Sequence, residues 1–119
     1  MHLYGIPNCS TVKKARSWLD AQQVAYTFHD LKKQAINAST ANAWLTQVPW
    51  EKLINRSGTT WRALSEAEKH AVVDATSAAA LMLTHPTVIK RPVLVNDGQV
   101  LAVGFDADHY GTLFTQHPN

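Results

Sequence analysis

Cysteine is almost absent from this chain: Cys9 is the only one among 119 residues. One thiol cannot close an internal disulfide, and it rules out cysteine-built metal sites. Long apolar runs are missing too, and none nears the ~20 residues of a membrane span. Met1 to Pro7 is too short for the apolar stretch of a secretion signal. We therefore expect a chain of the reducing cytoplasm, without a membrane partner. An excess of charge of either sign is lacking: the net charge is +2, weak ground for nucleic-acid binding, and none is expected. There are no internal repeats and no low-complexity tract. The length fits a single domain spanning 1–119 that needs no metal or disulfide to hold its core.

What is present centres on the one thiol. Residues 2–5 read as a short strand, and Ser10 to Ala21 as a helix with Val12, Ala15, Trp18 and Leu19 at helical spacing. Cys9 stands at the turn between them. The free N–H groups and dipole of a helix start favour an anion, so the thiolate should form more easily there than in a free cysteine. Lys13 and Lys14 on the first turns push the same way. A lone cysteine is commonly a small buried hydrophobe, but the polar flanks Asn8, Ser10 and Thr11 favour a reactive thiol.

Val24 to His29 alternates and reads as a second strand, completing a β-α-β unit with a parallel pair. Asp30 to Ala35 reads as a connection. Helices follow. Ser39 or Thr40 can cap one through about Val48, with Ala43, Trp44 and Val48 on one face, and Pro49 stops it. Lys52 to Asn55 reads as a short turn or helix, Ser57 to Thr60 as a loop, and Trp61 to Leu64 as the start of another helix. Ser65 with Glu68 forms a capping box opening a helix to about Asp74. Thr76 or Ser77 then caps Ala78 to Thr84. The end returns to strands: Val93 to Asn96 and Gln99 to Val103 flank Asp97-Gly98, a strong hairpin signal. Asp106 or Asp108 opens a last helix to about Thr115.

A second segment of interest is His85-Pro86 through Lys90-Arg91-Pro92. Arg91 is either a solvated arginine or an anion clamp, since guanidinium forks bind carboxylates and oxyanions. The histidines His2, His29, His70, His85, His109 and His117 show no metal-site spacing, and they read as surface or capping groups. No metal is expected. The four tryptophans read as buried area rather than a platform for bases. Residue 12, where a Cys-x-x-Cys pair would place its second sulfur, is Val12, so an adduct on Cys9 needs an outside thiol to release it.

Gly5-Ile6-Pro7-Asn8-Cys9-Ser10-Thr11-Val12-Lys13-Lys14-Ala15, with His85-Pro86 and Lys90-Arg91-Pro92, resembles the arsenate reductase-like (ArsC) family of the thioredoxin superfamily. Within it, the likeness is to the small YffB proteins, relatives of the Spx regulators. The resemblance implies an α/β fold, a thioredoxin-like mixed sheet with an all-helical insertion at about 36–84, and a cis peptide before Pro92. It implies Cys9 as the catalytic cysteine, with Arg56, Arg91 and Pro92 as substrate-binding residues. Arsenate reductases add a third arginine after the last strand. That position falls near Val103 here, and no arginine follows Arg91. The function so implied is a monomeric, glutathione-dependent thiol–disulfide reductase with glutathione as co-substrate. The rival readings are a non-enzymatic Spx-like interaction protein and an arsenate reductase.

Overall fold

The computed structural model describes residues 1–114. The chain divides into two compact units, Met1–Asp30 with the described part of Arg91–Asn119, and Leu31–Lys90. The first unit holds all the strands: β1 (His2–Gly5), β2 (Thr27–Asp30), β3 (Val93–Asn96) and β4 (Gln99–Val103), with helices α1 (Ser10–Ala21) and α7 (Ala107–Phe114). The second holds α2 (Ala38–Gln47), α3 (Trp50–Leu53), α4 (Thr59–Arg62), α5 (Glu66–His70), α6 (Ala75–Thr84) and a 3₁₀ turn at Pro86–Val88.

The sheet order is β2-β1-β3-β4. β1 pairs parallel with β2 and antiparallel with β3, and β3 pairs antiparallel with β4. This is the thioredoxin-like mixed sheet expected from the resemblance. The β3–β4 hairpin turns on Asp97 and Gly98, at φ 51° and 78°. Two successive positive φ values match the right-handed twist of the strands, which is why Asp-Gly signals this turn. On one face of the sheet, Leu3, Leu94 and Ala102 pack with Ala15 and Leu19 of α1 and Tyr110 of α7. Trp18 and Phe105 meet the fully buried Tyr110 ring edge-on, at centroid separations of 5.5 and 4.8 Å. That geometry adds about 1 kcal/mol per pair to the area buried.

β2 begins three residues later than alternation suggests, at Thr27 rather than Val24. The cause is the end of α1. The Gln23 N–H donates to Asp20 O at 3.0 Å, and the Val24 N–H donates to Leu19 O at 3.0 Å. Gln23 sits at φ 58°. This is a Schellman closure, and it spends Val24 on the helix end while its side chain packs on the core. A glutamine at positive φ is strained where glycine is not. Gln23→Gly is therefore expected to stabilise the fold by about 1 kcal/mol, read as a higher urea midpoint; an unchanged or lower midpoint would refute it.

The second unit corrects several boundaries. Asn37, not Ser39 or Thr40, caps α2, its side chain accepting from the Thr40 N–H at 2.8 Å. Ala41 and Trp44 are its buried residues, and Ala43 is exposed. α3 and α4 each start two residues before the expected positions. The Ser65–Glu68 capping box is present. Its helix ends at His70 rather than near Asp74, because Asp74 begins the next one. Asp74 and Ser77 form a second capping box, so α6 starts at Ala75 and not at Ala78. α6 buries Ala78, Ala79, Leu81 and Met82, and packs on α2. The unit also ties its own chain together: Ile54 bridges Ile89, and Lys90 donates to Leu53 O at 2.7 Å. Leu31, in the stretch read as a connection, is 1% exposed and belongs to the core. The last helix runs to Phe114; Thr115 and His117 lie outside the described residues.

Candidate active site

β1 ends at Gly5, and the chain turns through Ile6-Pro7-Asn8, closed by the Cys9 N–H donating to Ile6 O at 3.1 Å. Cys9 is the N-cap residue of α1, with extended backbone (φ −82°, ψ 127°), and its carbonyl accepts the first helical bond from Lys13 at 2.9 Å. Its thiol is half-exposed and closes no regular capping bond. The arrangement nonetheless lowers its pKa. Partial burial pushes the thiol up, and this is outweighed by the Val12 N–H, the Arg91 guanidinium and the Thr11 N–H, all favouring the thiolate, together with the charge of Arg91. Lys13 and Lys14, expected to help, are exposed and contribute nothing resolved. Water screens exposed charges that make no direct contact.

Arg91 reaches the thiol because of strand register. Tyr4 pairs with Val93 in the antiparallel β1–β3 ladder, so the residues just before Val93 run beside the turn that follows β1. The Arg91–Pro92 peptide is cis. Pro92 is buried, and its carbonyl accepts from the Gly104 N–H at 2.9 Å. Val103, where the resemblance places a third arginine, pairs with Val93 one residue away from Pro92.

Gly5 is a residue that sequence reasoning passed over. A Cβ built on it would lie 2.8 Å from Val12 Cγ2 and 3.1 Å from Val12 Cγ1. The end of β1 and the first turn of α1 approach this closely only because position 5 has no side chain. A glycine ending a strand just before a helix was the available signal. Arg56 belongs to the other unit. It is exposed, with its guanidinium carbon 5.4 Å from the Trp50 ring centroid. Its turn is tight: Asn55 Oδ1 accepts from the Ser57 N–H at 3.2 Å, and the Gly58 N–H donates to Asn55 O at 3.3 Å. Cys9, Arg91 and Pro92 are thus assembled within one unit, while Arg56 is placed by contacts within its own.

Two histidines differ from expectation. His2 and His29, on neighbouring strands, are half-buried and joined Nδ1 to Nε2 at 2.9 Å, and the Tyr4 ring stacks on His29 at 4.3 Å. They pair because β1 and β2 put His2, Tyr4 and His29 on one face. Burial and the charge of His2 lower the His29 pKa. Among the described residues no group of three or more His, Cys, Asp or Glu could hold a metal ion, and no helix is long and apolar enough to cross a membrane.

The rate of Cys9 alkylation by iodoacetamide tests the electrostatics. The thiolate is the reactive form, so a lowered pKa keeps the rate high toward acid and moves its inflection below the free value of about 8.5. An inflection at or above that value would show that the amides and Arg91 do not activate the thiol.

Comparison with known proteins identifies what the chain as a whole is similar to. The model of the ArsC family matches residues 4–113. A solved structure described as a YffB protein is 47% identical, with a TM-score of 0.87, over 93% of this chain and 96% of that one. A Haemophilus influenzae protein described as uncharacterized is 38% identical over 112 residues, 94% of this chain and 96% of its own length. The Lactococcus lactis global transcriptional regulator Spx 1 is 24% identical over 108 residues, 89% of this chain and 82% of the regulator.

Proposed function

The chain belongs to the ArsC family, and we propose that it is a glutathione-dependent thiol–disulfide reductase whose single nucleophile is Cys9. The observation that carries this reading is the placement of Cys9 at the N-cap of α1, with the Thr11 and Val12 amides and the Arg91 guanidinium directed at its sulfur. In the proposed reaction the Cys9 thiolate attacks one sulfur of a disulfide. The S–S bond breaks, a mixed disulfide forms on Cys9, and the other sulfur leaves as a thiolate. A reduced glutathione then attacks the mixed disulfide and releases Cys9. Arg91 holds the thiolate before attack and binds a glutathione carboxylate through its guanidinium fork, and Arg56 is assigned to substrate binding on the ground of the family resemblance. Pro92 fixes the backbone beside the thiol. No metal takes part. A monomer suffices, and a reducing cytoplasm would keep Cys9 ready.

The Spx-like reading, a protein that docks without chemistry, is supported by the likeness to Spx 1 but leaves the activated thiol without a use. The arsenate reading asks for several fixed cations around an oxyanion, and the position near Val103 offers none. Incubation with oxidised glutathione separates the reductase reading from docking. Intact-mass spectrometry is expected to show one glutathionyl group on the protein, absent in Cys9→Ser and removed by reduced glutathione. A protein that stays unmodified would overturn the reductase reading in favour of docking.

A further inference from the structure

A second charged site lies further along α1. Arg16 is half-buried, and its guanidinium is fixed twice: Nε donates to the Tyr26 hydroxyl at 3.2 Å, and Cζ stands 4.1 Å over the Phe28 ring. Both partners are neutral, so the positive charge is not cancelled. Stacking uses the face of the guanidinium and Tyr26 uses one of its five N–H groups, which leaves the terminal pair of nitrogens as a fork for a carboxylate. Asp20 stands one helical turn on. Opposite charges four apart on a helix commonly meet, yet no ion pair is described between these two. Holding Arg16 on Phe28 keeps the two charges apart. Between them is a hollow of about 420 Å³ lined by Arg16, Asp20, Val24, Ala25, Tyr26 and Phe28. That volume lies within the range of small-molecule sites.

The geometry points to this hollow as a binding site for a short zwitterionic peptide, its carboxylate on Arg16 and its ammonium group at Asp20. An anion alone would leave Asp20 repelling it, and an amine alone would meet Arg16. A ligand with both ends satisfies both walls. The size admits two or three residues. The site is about 10 Å along the helix axis from Cys9, by the rise of seven residues, and its ligand needs no thiol.

The test uses the thiol-free dipeptide alanyl-leucine on ¹⁵N-labelled protein. Saturable shifts are expected in the amide resonances of residues 16–28. Arg16→Gln and Asp20→Asn should each weaken binding about tenfold, as loss of a hydrogen bond to a charged group does. Arg16→Lys, which keeps the charge but not the fork, should also weaken it. N-acetylated dipeptide, an anion without the ammonium group, should bind Asp20→Asn more tightly than the parent. The absence of a saturable shift would overturn the proposal, and so would variants that keep the parent's melting temperature and bind as well as the parent. Because alanyl-leucine cannot react with Cys9, neither outcome bears on the reductase reading.

Discussion

Replacing Arg91 by alanine is expected to move the inflection of Cys9 alkylation up toward the free-thiol value and to slow the reaction with oxidised glutathione at neutral pH by about tenfold or more. The guanidinium acts on Cys9 in two ways, through a hydrogen bond and through its charge. A hydrogen bond to a charged group is worth roughly 1.5–3 kcal/mol, and the half-exposed thiol places the effect at the lower end, about a factor of ten. Binding of the glutathione carboxylate adds to the loss in rate but not to the change in inflection. Arg91→Lys tells the two apart. It keeps a charge near the thiol while losing the fork, so the inflection should move less than in the alanine variant while the glutathione reaction stays slow. Arg56→Ala should slow the glutathione reaction and leave the inflection where it was. If Arg91→Ala alters neither quantity, the thiolate is held by the Thr11 and Val12 amides alone, and the clamp is wrong.

Gly5→Ala is expected to destabilise the protein by about 1–3 kcal/mol, the usual cost of overpacking a tight site. The added methyl would meet Val12 Cγ2 at 2.8 Å, and Val12 is fully buried, so the helix start must shift. That shift moves the Val12 amide that favours the thiolate, so the alkylation inflection should rise together with the loss of stability. The double variant Gly5→Ala with Val12→Ala removes the clashing methyls and should recover part of the inflection even though it leaves a smaller core. Denaturant midpoints and alkylation profiles of the parent and the two variants would settle this. A single variant as stable as the parent would show that β1 and α1 can part without cost.

The strands and helices that local chemistry dictates could be read directly. The β3–β4 hairpin follows from Asp97-Gly98, and α1 follows from its spacing of Val12, Ala15 and Leu19. Boundaries failed where several residues compete for one role. Asn37, Ser39 and Thr40 can all cap a helix, as can Asp74, Thr76 and Ser77, and the packing of α2 on α6 chooses among them. Val24 has the pattern of a strand residue but ends a helix, because Gln23 takes a left-handed conformation that its side chain does not advertise. At the candidate site, the helix start at Cys9 was legible from its neighbours. The approach of Arg91 was not, because it depends on the register between β1 and β3, and only the family resemblance suggested it. Lys13 and Lys14 lie near Cys9 in sequence, but both are exposed, and proximity in sequence says nothing about screening by water.

Val12 has three jobs at once: its amide favours the thiolate, its side chain fills the space left by Gly5, and it occupies the position of a second sulfur. With that position sealed in the core, a mixed disulfide on Cys9 has no exit inside the molecule. Its lifetime would be set by the surroundings. The fraction of protein carrying an adduct would then follow the ambient ratio of oxidised to reduced thiol, so that the chain is a gauge of its medium as much as a catalyst in it.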